Sequence, residues 1–188
     1  EPGNYTISST IYIPPYANII GAGPGKTIFN FTGSGPAMKT VNGDSSVGNY
    51  SDGPTTTVLN QTQKIRIEGL TLSTGAVDTA ILLESCKDSI FKDLIITGNF
   101  ENGDIVDSAE NIAIEMTIGG TSGEAVSNNN YFENITISDF SYGVVSEYDI
   151  SGNIWTGCRF YHLGHGVRFG ENTNLGVSGQ FVGPADNN

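Results

Sequence analysis

The sequence is poor in basic residues. Among 188 residues it has 8 Lys and Arg against 20 Asp and Glu, which gives a net charge of −12. Nucleic-acid binding needs clustered Lys and Arg that displace counterions from phosphates, and anionic membrane surfaces attract the same residues. A transmembrane helix needs about 18 consecutive apolar residues, and the sequence contains no such run. We therefore predict neither a nucleic-acid partner nor membrane insertion.

Cysteine and histidine are scarce as well, with two of each. Two cysteines do not make a disulfide framework, and the spacing of the Cys and His residues does not fit zinc. We therefore expect no cofactor. The sequence begins Glu-Pro-Gly without an initiating Met, and we expect it to be a fragment of a longer chain.

Isoleucine, by contrast, is abundant: the sequence has 20 Ile against 8 Leu. β-Branched residues favour strands over helices. The 25 Gly and 18 Asn residues supply many turns. These proportions predict an all-β protein built from many short strands.

One pattern recurs four times: large apolar, polar, Gly/Asp/Asn, apolar, any residue, apolar. The four segments are 67–72, 91–96, 132–137 and 155–160. Their third residues, which tolerate a left-handed backbone, are Gly69, Asp93, Asn134 and Gly157. Each segment therefore reads as a strand, a sharp bend and a second strand. Such a repeat cannot bury its own apolar side, so it must stack on the next repeat roughly 4.8 Å away.

Stacking predicts inward columns of apolar residues, the first formed by Ile67, Phe91, Phe132 and Trp155. A later apolar element follows each bend, and we assign it to Ile81, Ile105, Val144 and Val167. The long interval between Asp93 and Asn134 reads as one repeat with a long loop or as one and a half repeats. A β-sandwich would lack aligned columns, and leucine-rich repeats would need more Leu.

The predicted fold is therefore a single-stranded parallel β-solenoid with about seven or eight coils of roughly 23 residues. We expect one domain over residues 1–188, with irregular opening coils at 1–60 and regular coils at 64–188. Two polar stretches, 42–57 and 121–130, are expected to form loops that supply variable contact surface.

The opening of the chain carries a family resemblance. The stretches PGNYTISSTIYIP (2–14), NIIGAG (18–23) and KTIF (26–29) resemble the first coils of right-handed parallel β-helices in the pectate-lyase-like superfamily. The most similar members are bacteriophage tailspike and tail-fibre proteins. The resemblance implies an extracellular protein of the virion surface. It would form a homotrimer or join other tail proteins, and it would bind or cut host-surface polysaccharide.

The candidate catalytic residues are Glu115, Glu133, Arg159 and His165. Gly164-His165-Gly166 matches a motif of polygalacturonases, in which the histidine supports the catalytic carboxylates, but the paired aspartates of that family are absent. A Gly-flanked turn is therefore the favoured reading of His165. Pectate lyases would add a calcium ion held by acidic residues. If an acidic cleft exists, Glu115 and Glu133 are expected to form it.

Glu133 and Arg159 lie on successive predicted coils, where they could form an ion pair. An exposed pair contributes about 0–1 kcal/mol, so a solvated pair is favoured over catalysis. Aromatic faces on the flank of a β-helix can stack on sugar rings. The candidate glycan-binding residues are Tyr131, Tyr142, Tyr148 and Tyr161. Trp155 is assigned to the core instead.

The sequence favours a structural or receptor-binding, non-enzymatic segment of a phage tail fibre or tailspike. Two alternatives stay open. One is a polysaccharide depolymerase, a lyase or a hydrolase, whose remaining catalytic residues lie on other coils or on a partner chain. The other is a cellular secreted β-helix such as an adhesin.

Overall fold

A computed structural model describes six parts of the chain: residues 1–41, 62–75, 79–99, 111–117, 127–146 and 152–169. The expected loop at 42–57, most of that at 121–130, and Tyr148 lie outside these parts. The described residues form strands and turns without any helix, as the composition predicts. No helix in these parts could therefore cross a membrane.

The strands are short, except for one that continues around two bends. In chain order they are β1 (Gly3–Ile7), β2 (Ile11–Ile13), β3 (Asn18–Ile20), β4 (Thr27–Phe31), β5 (Met38–Thr40), β6 (Thr62–Gln63), β7 (Arg66–Thr74), β8 (Thr79–Glu84), β9 (Cys86–Lys87), β10 (Ile90–Thr97), β11 (Ile112–Thr117), β12 (Tyr131–Ser146), β13 (Ile154–Thr156) and β14 (Arg159–Phe169). Every pairing between them is parallel. The architecture is the predicted right-handed parallel β-helix.

Three faces, each formed by strands of successive coils, run along the axis of the β-helix. Face A consists of residues 18–20, 66–68, 90–92, 131–133 and 154–156. Face B consists of residues 3–7, 27–31, 70–74, 94–97, 135–138 and 159–161. Face C consists of residues 11–13, 38–40, 79–84, 112–117, 142–146 and 165–169.

The bend between faces A and B is made by the four residues that the sequence pattern predicts. Their φ angles are positive: 67° at Gly69, 50° at Asp93, 54° at Asn134 and 64° at Gly157. Asn134 Nδ2 also donates a hydrogen bond of 2.6 Å to Asp93 Oδ1 on the coil before. The amide and carboxylate at these bends therefore link neighbouring coils.

The predicted core columns are confirmed. Ile67, Phe91, Phe132 and Trp155 stand in register on face A, and all four are buried. The ring centroids of Phe91 and Phe132 are 4.8 Å apart, and those of Phe132 and Trp155 are 3.8 Å apart, with nearly parallel planes in both pairs. Trp155 is thus a core residue, as expected.

Ile105, which we assigned to the later apolar column, lies outside the described residues, and a different residue takes that place. Ile114 holds that position, since it pairs with Ile81 on one side and with Val144 on the other. Val144 in turn pairs with Val167, as predicted. The long interval between Asp93 and Asn134 is therefore one coil with added length.

The described residues stack in six coils, fewer than a uniform period would give. Ile67 is paired with Phe91 on one side and with Ile19 on the other, so these three residues are successive members of the first inward column. The stretch of chain from Ile19 to Ile67 is nevertheless twice as long as that from Ile67 to Phe91. β3 and β7 still pair directly, so they belong to successive coils. The number of stacked coils is thus determined by strand pairing and not by chain length.

Candidate functional site

The end of face C carries an aromatic stack on the outside of the coil. Tyr142 and His165 are paired residues of adjacent coils. Their ring centroids are 4.9 Å apart at an interplanar angle of 16°. The Cζ atom of Arg168 lies 5.4 Å from the centroid of the Tyr142 ring, within cation–π range. Two of the predicted site residues, Tyr142 and His165, therefore meet directly.

Glu115 belongs to the same face. It pairs with Val145, and Val145 pairs with Arg168 on the next coil. Thr79 Oγ1 donates a hydrogen bond of 2.7 Å to Glu115 Oε2. Face C thus presents a carboxylate, an imidazole, a guanidinium and a phenol ring within three coils. We define the face C cluster as Glu115, Tyr142, His165 and Arg168.

Glu133 lies on face A, where its partner is Lys92. The Lys92 Nζ–Glu133 Oε2 distance is 3.0 Å. The hydrogen bond and the charge of Glu133 raise the pKa of the Lys92 ammonium. The expected Glu133–Arg159 ion pair is wrong. Arg159 is in register with Thr136, because the bend between faces A and B turns it onto face B.

The structure does not bring Glu115 and Glu133 together. Along β12, the bends at Asn134 and Asp139, with φ angles of 54° and 64°, separate Glu133 from Val145. Glu115 stands beside Val145 on face C. The two carboxylates therefore occupy different faces, and an acidic cleft between them does not form.

The described tyrosine candidates lie on three different faces. Tyr131 is on face A, paired with Ile90 on one side and with Ile154 on the other. Tyr142 is in the face C cluster. Tyr161 is on face B, 47% exposed, with its ring edge-on to His162 at 5.3 Å. These positions form separate surfaces and not one aromatic platform.

Sequence reasoning missed two polar features. One is Arg168, whose position over Tyr142 depends on the register between coils. The other is a bend cluster in which His162 Nδ1 lies 3.5 Å from Asp139 Oδ1 and Thr97 Oγ1 donates to Asp139 Oδ2 at 3.3 Å. Asp139 and His162 both have positive φ, and they are separated in the sequence by the length of one regular coil. That spacing is the sequence signal that could have predicted the contact between Asp139 and His162.

The described residues do not fit a calcium ion. Calcium takes six to eight oxygen ligands, several of them carboxylates. Within the six described parts, no three His, Cys, Asp or Glu residues lie close enough together to hold a metal ion. Glu115 is the carboxylate of the face C cluster, and it is bonded to Thr79.

Cys86 is a buried thiol surrounded by polar groups. Its Sγ atom lies 3.5 Å from Ser89 Oγ and 3.7 Å from Asn130 Oδ1. Burial raises the pKa of the Cys86 thiol from 9.0 to about 12, outweighing the opposite effect of its hydrogen bond with Ser89. Partial burial also raises the pKa of Cys158. Both cysteines are free, and neither environment stabilises a reactive thiolate.

We predict that Cys86 resists alkylation in the folded chain. At neutral pH, iodoacetamide should label Cys158 slowly and Cys86 only after unfolding in urea, as mass spectrometry of the digested chain would show. Because the pKa of folded Cys86 is raised, its contribution to stability is present in full below pH 9.0 and is lost as the pH rises toward 12. The Cys86→Ala variant should lose less stability over that pH range. Rapid labelling of Cys86 without denaturant would contradict this prediction.

A solved structure and a family model are similar to this chain. The solved structure is that of ORF18 of Geobacillus virus E2, with a TM-score of 0.42 and 14% identity. The match covers 84% of this chain and 33% of that one, so the chain spans about a third of that protein. No curated protein sequence matches. The family model described as rhamnogalacturonase A/epimerase, pectate lyase-like, matches residues 2–168. The chain therefore belongs to the pectate lyase-like rhamnogalacturonase A/epimerase family.

Proposed function

We propose that this chain is a structural and receptor-binding segment of a phage tail fibre or tailspike, exposed on the virion surface, where it contacts host glycans. The observation that carries the proposal is the stack of Tyr142 and His165 on the outside of face C, with Arg168 over the tyrosine ring. His165 covers one face of the half-buried Tyr142 ring and is itself exposed. The stack therefore offers a phenol edge and an imidazole to sugar C–H groups on a rigid flank, without losing much side-chain entropy on binding.

The rigidity of that flank follows from the coil stacking. Tyr142 and His165 are carried by paired strands. Behind them, the hypothetical Cβ of Gly143 would lie 2.5 Å from Gly166 O and 2.8 Å from Leu163 Cδ1. The two coils therefore approach closely beneath the stack, so the rings are held at a fixed spacing. The first opening coils, which resemble those of tailspikes, agree with a role as part of a stiff rod.

Glycan-array binding by the full-length parent protein tests this proposal. We expect Tyr142→Ala to weaken binding about tenfold, which corresponds to a lost stacking contact of about 1.4 kcal/mol. Tyr12→Ala is the matched control. Tyr12 is an exposed tyrosine of the same face, in the first coil and far from the cluster. Absence of glycan binding by the parent protein would overturn the proposal, and equal losses in both variants would remove the Tyr142–His165 stack as the specific contact.

Assembly as a homotrimer, or with other tail proteins, is part of the same proposal. Light scattering on the purified parent protein would give three times its chain mass if it is a trimer. A monomeric mass at micromolar concentration would remove the homotrimer from the proposal.

A depolymerase is the second candidate, and Glu115 favours it. This carboxylate shares face C with His165 and Arg168, so an acid or base, a second titratable group and a cation border one surface. Inverting hydrolysis needs a second carboxyl roughly 6.5–9.5 Å away, which a residue outside the described parts, another coil or a neighbouring chain would provide. Glu115→Gln should then abolish reducing-sugar release, whereas Glu133→Gln, on face A, should retain it. Equal activity in both variants would remove Glu115 as the catalytic group.

A further inference from the structure

Face A carries an exposed apolar column that the core does not use. Ile90, Tyr131 and Ile154 pair with one another on three successive coils. Ile90 is 39% exposed and Ile154 is 51% exposed, and Tyr131 between them is half-buried. At strand spacing the column is about 10 Å long. Exposed isoleucine side chains are unfavourably hydrated, and contact with an apolar ligand face would remove water from them. This column is therefore a surface suited to such a ligand face.

Most of the charges beside this column are paired, with a small excess of negative charge. Arg66 is paired with Glu68, and Lys92 is paired with Glu133 at 3.0 Å. Glu68, Lys92 and Glu133 stand in register on successive coils. Asp93, whose charge also acts on Lys92, adds a third negative group, so the strip has two positive and three negative groups in a chain whose net charge is −12. An anionic ligand finds no net attraction here, whereas hydroxyl groups find both donors and acceptors.

We propose that the column of Ile90, Tyr131 and Ile154, with the adjacent Lys92–Glu133 pair, is a second binding strip and that its ligand is an uncharged polysaccharide. The Tyr131 ring takes the C–H face of one sugar ring. Ile90 and Ile154 contact the sugars before and after it, and Lys92 and Glu133 hydrogen-bond to hydroxyl groups. The inference rests on the proposed function because it takes the ligand to be a glycan. It goes further by placing the glycan on face A and by specifying that the glycan is uncharged.

A second copy of the chain fits this strip less well. A stable protein interface buries about 800 Å² on each partner. Even a large aromatic side chain buries only about 150–250 Å². Ile90 and Ile154 are 39% and 51% exposed and Tyr131 is half-buried, so the three together supply less than about 400 Å², half of the required area. Two copies at a net charge of −12 each also repel one another. A strip of this size matches two or three sugar rings.

The test uses isothermal titration of the full-length parent protein with an uncharged and a uronate-containing polysaccharide. We expect Tyr131→Ala to weaken binding of the uncharged glycan about tenfold, and Tyr131→Phe to stay within about twofold because the ring is kept. Raising the ionic strength from about 0.01 to 1 M should change the affinity by less than about twofold. Matched thermal unfolding of both variants shows that the fold is intact.

The outcomes separate this inference from the proposed function. Loss of binding in Tyr142→Ala but not in Tyr131→Ala overturns the strip and leaves the proposed function standing. Loss in Tyr131→Ala alone supports the strip and removes face C as the contact. If the protein prefers the uronate polymer and its affinity depends strongly on salt, the assignment of the ligand to uncharged polysaccharides is overturned. An oligomer that Tyr131→Ala dissociates assigns the strip to a second copy, and no glycan binding at all overturns both proposals.

Discussion

Replacing Phe132 by alanine is expected to destabilise the chain by about 3–5 kcal/mol, the range for buried aromatic side chains. The Phe132 ring is fully buried and lies between two rings on adjacent coils, 4.8 Å from that of Phe91 and 3.8 Å from that of Trp155. Its removal leaves a cavity in the middle of the first inward column. Strand pairing fixes the distance between coils, so the neighbouring rings cannot close that cavity.

Urea unfolding followed by far-ultraviolet circular dichroism measures the loss. Fluorescence of Trp155, the single tryptophan, provides a second signal from the ring next to the cavity. Tyr161→Ala is the control, since this exposed aromatic should change stability by less than about 0.5 kcal/mol. A loss below about 1 kcal/mol in Phe132→Ala, well under the usual cost of deleting a buried aromatic ring, would show that the ring column does not hold the coils together.

Replacing Gly21 by alanine is expected to destabilise the chain by about 3 kcal/mol, at the upper end for overpacking. A Cβ atom on Gly21 would lie 2.2 Å from Gly69 O and 2.9 Å from Thr27 Cβ. Gly21 N also donates a hydrogen bond of 2.8 Å to Glu68 O on the next coil. The methyl group would push the two coils apart at a backbone contact, where no flexible side chain can move away.

Gly75→Ala is the matched control for this change. No atom lies within 4 Å of the Cβ that alanine would add at Gly75, and Gly75 is exposed and has no positive φ. Its replacement should be neutral or stabilise the chain by up to about 1 kcal/mol, because alanine reduces the entropy of the unfolded chain. Equal melting temperatures for the two variants would contradict the close approach at Gly21.

The inward columns and the bends between faces A and B could be predicted because they are local and periodic. A bend residue such as Asn134 must tolerate a left-handed backbone, and few residue types do. Apolar residues on both sides of it must alternate, since a strand has a period of two. Matching these two rules along the chain places Phe91 opposite Phe132 without any knowledge of the loops.

The later apolar column was harder to predict from the sequence, because the number of residues between the bend and the next strand is not constant. The stretch of chain from Asp93 to Ile114 is about twice as long as that from Asn134 to Val144, although Ile114 and Val144 are paired residues. Residues added between two strands do not change which strands pair. Counting a fixed number of residues from the bend therefore led to Ile105. Pairing with Ile81 and Val144 decides the position instead.

The candidate site depended still more on the register between coils. The sequence indicates that Glu133 points outward, but its partner is decided by the residue one coil away, which is Lys92. Arg159 fails as a partner because a single left-handed residue, Gly157, directs it to another face. Likewise, Arg168 reaches Tyr142 only because Tyr142 and His165 are paired residues.

The sequence by itself therefore determined the fold class, the bend residues and the buried columns, since these follow from backbone preference and from the need to bury apolar side chains. Only the tertiary structure decided which surface residues meet. Outward side chains are solvated in any register, so their own free energy does not select their neighbours. The coil below selects them, through the strand pairing that the core imposes, and this brings Tyr142 to His165 and separates Glu115 from Glu133.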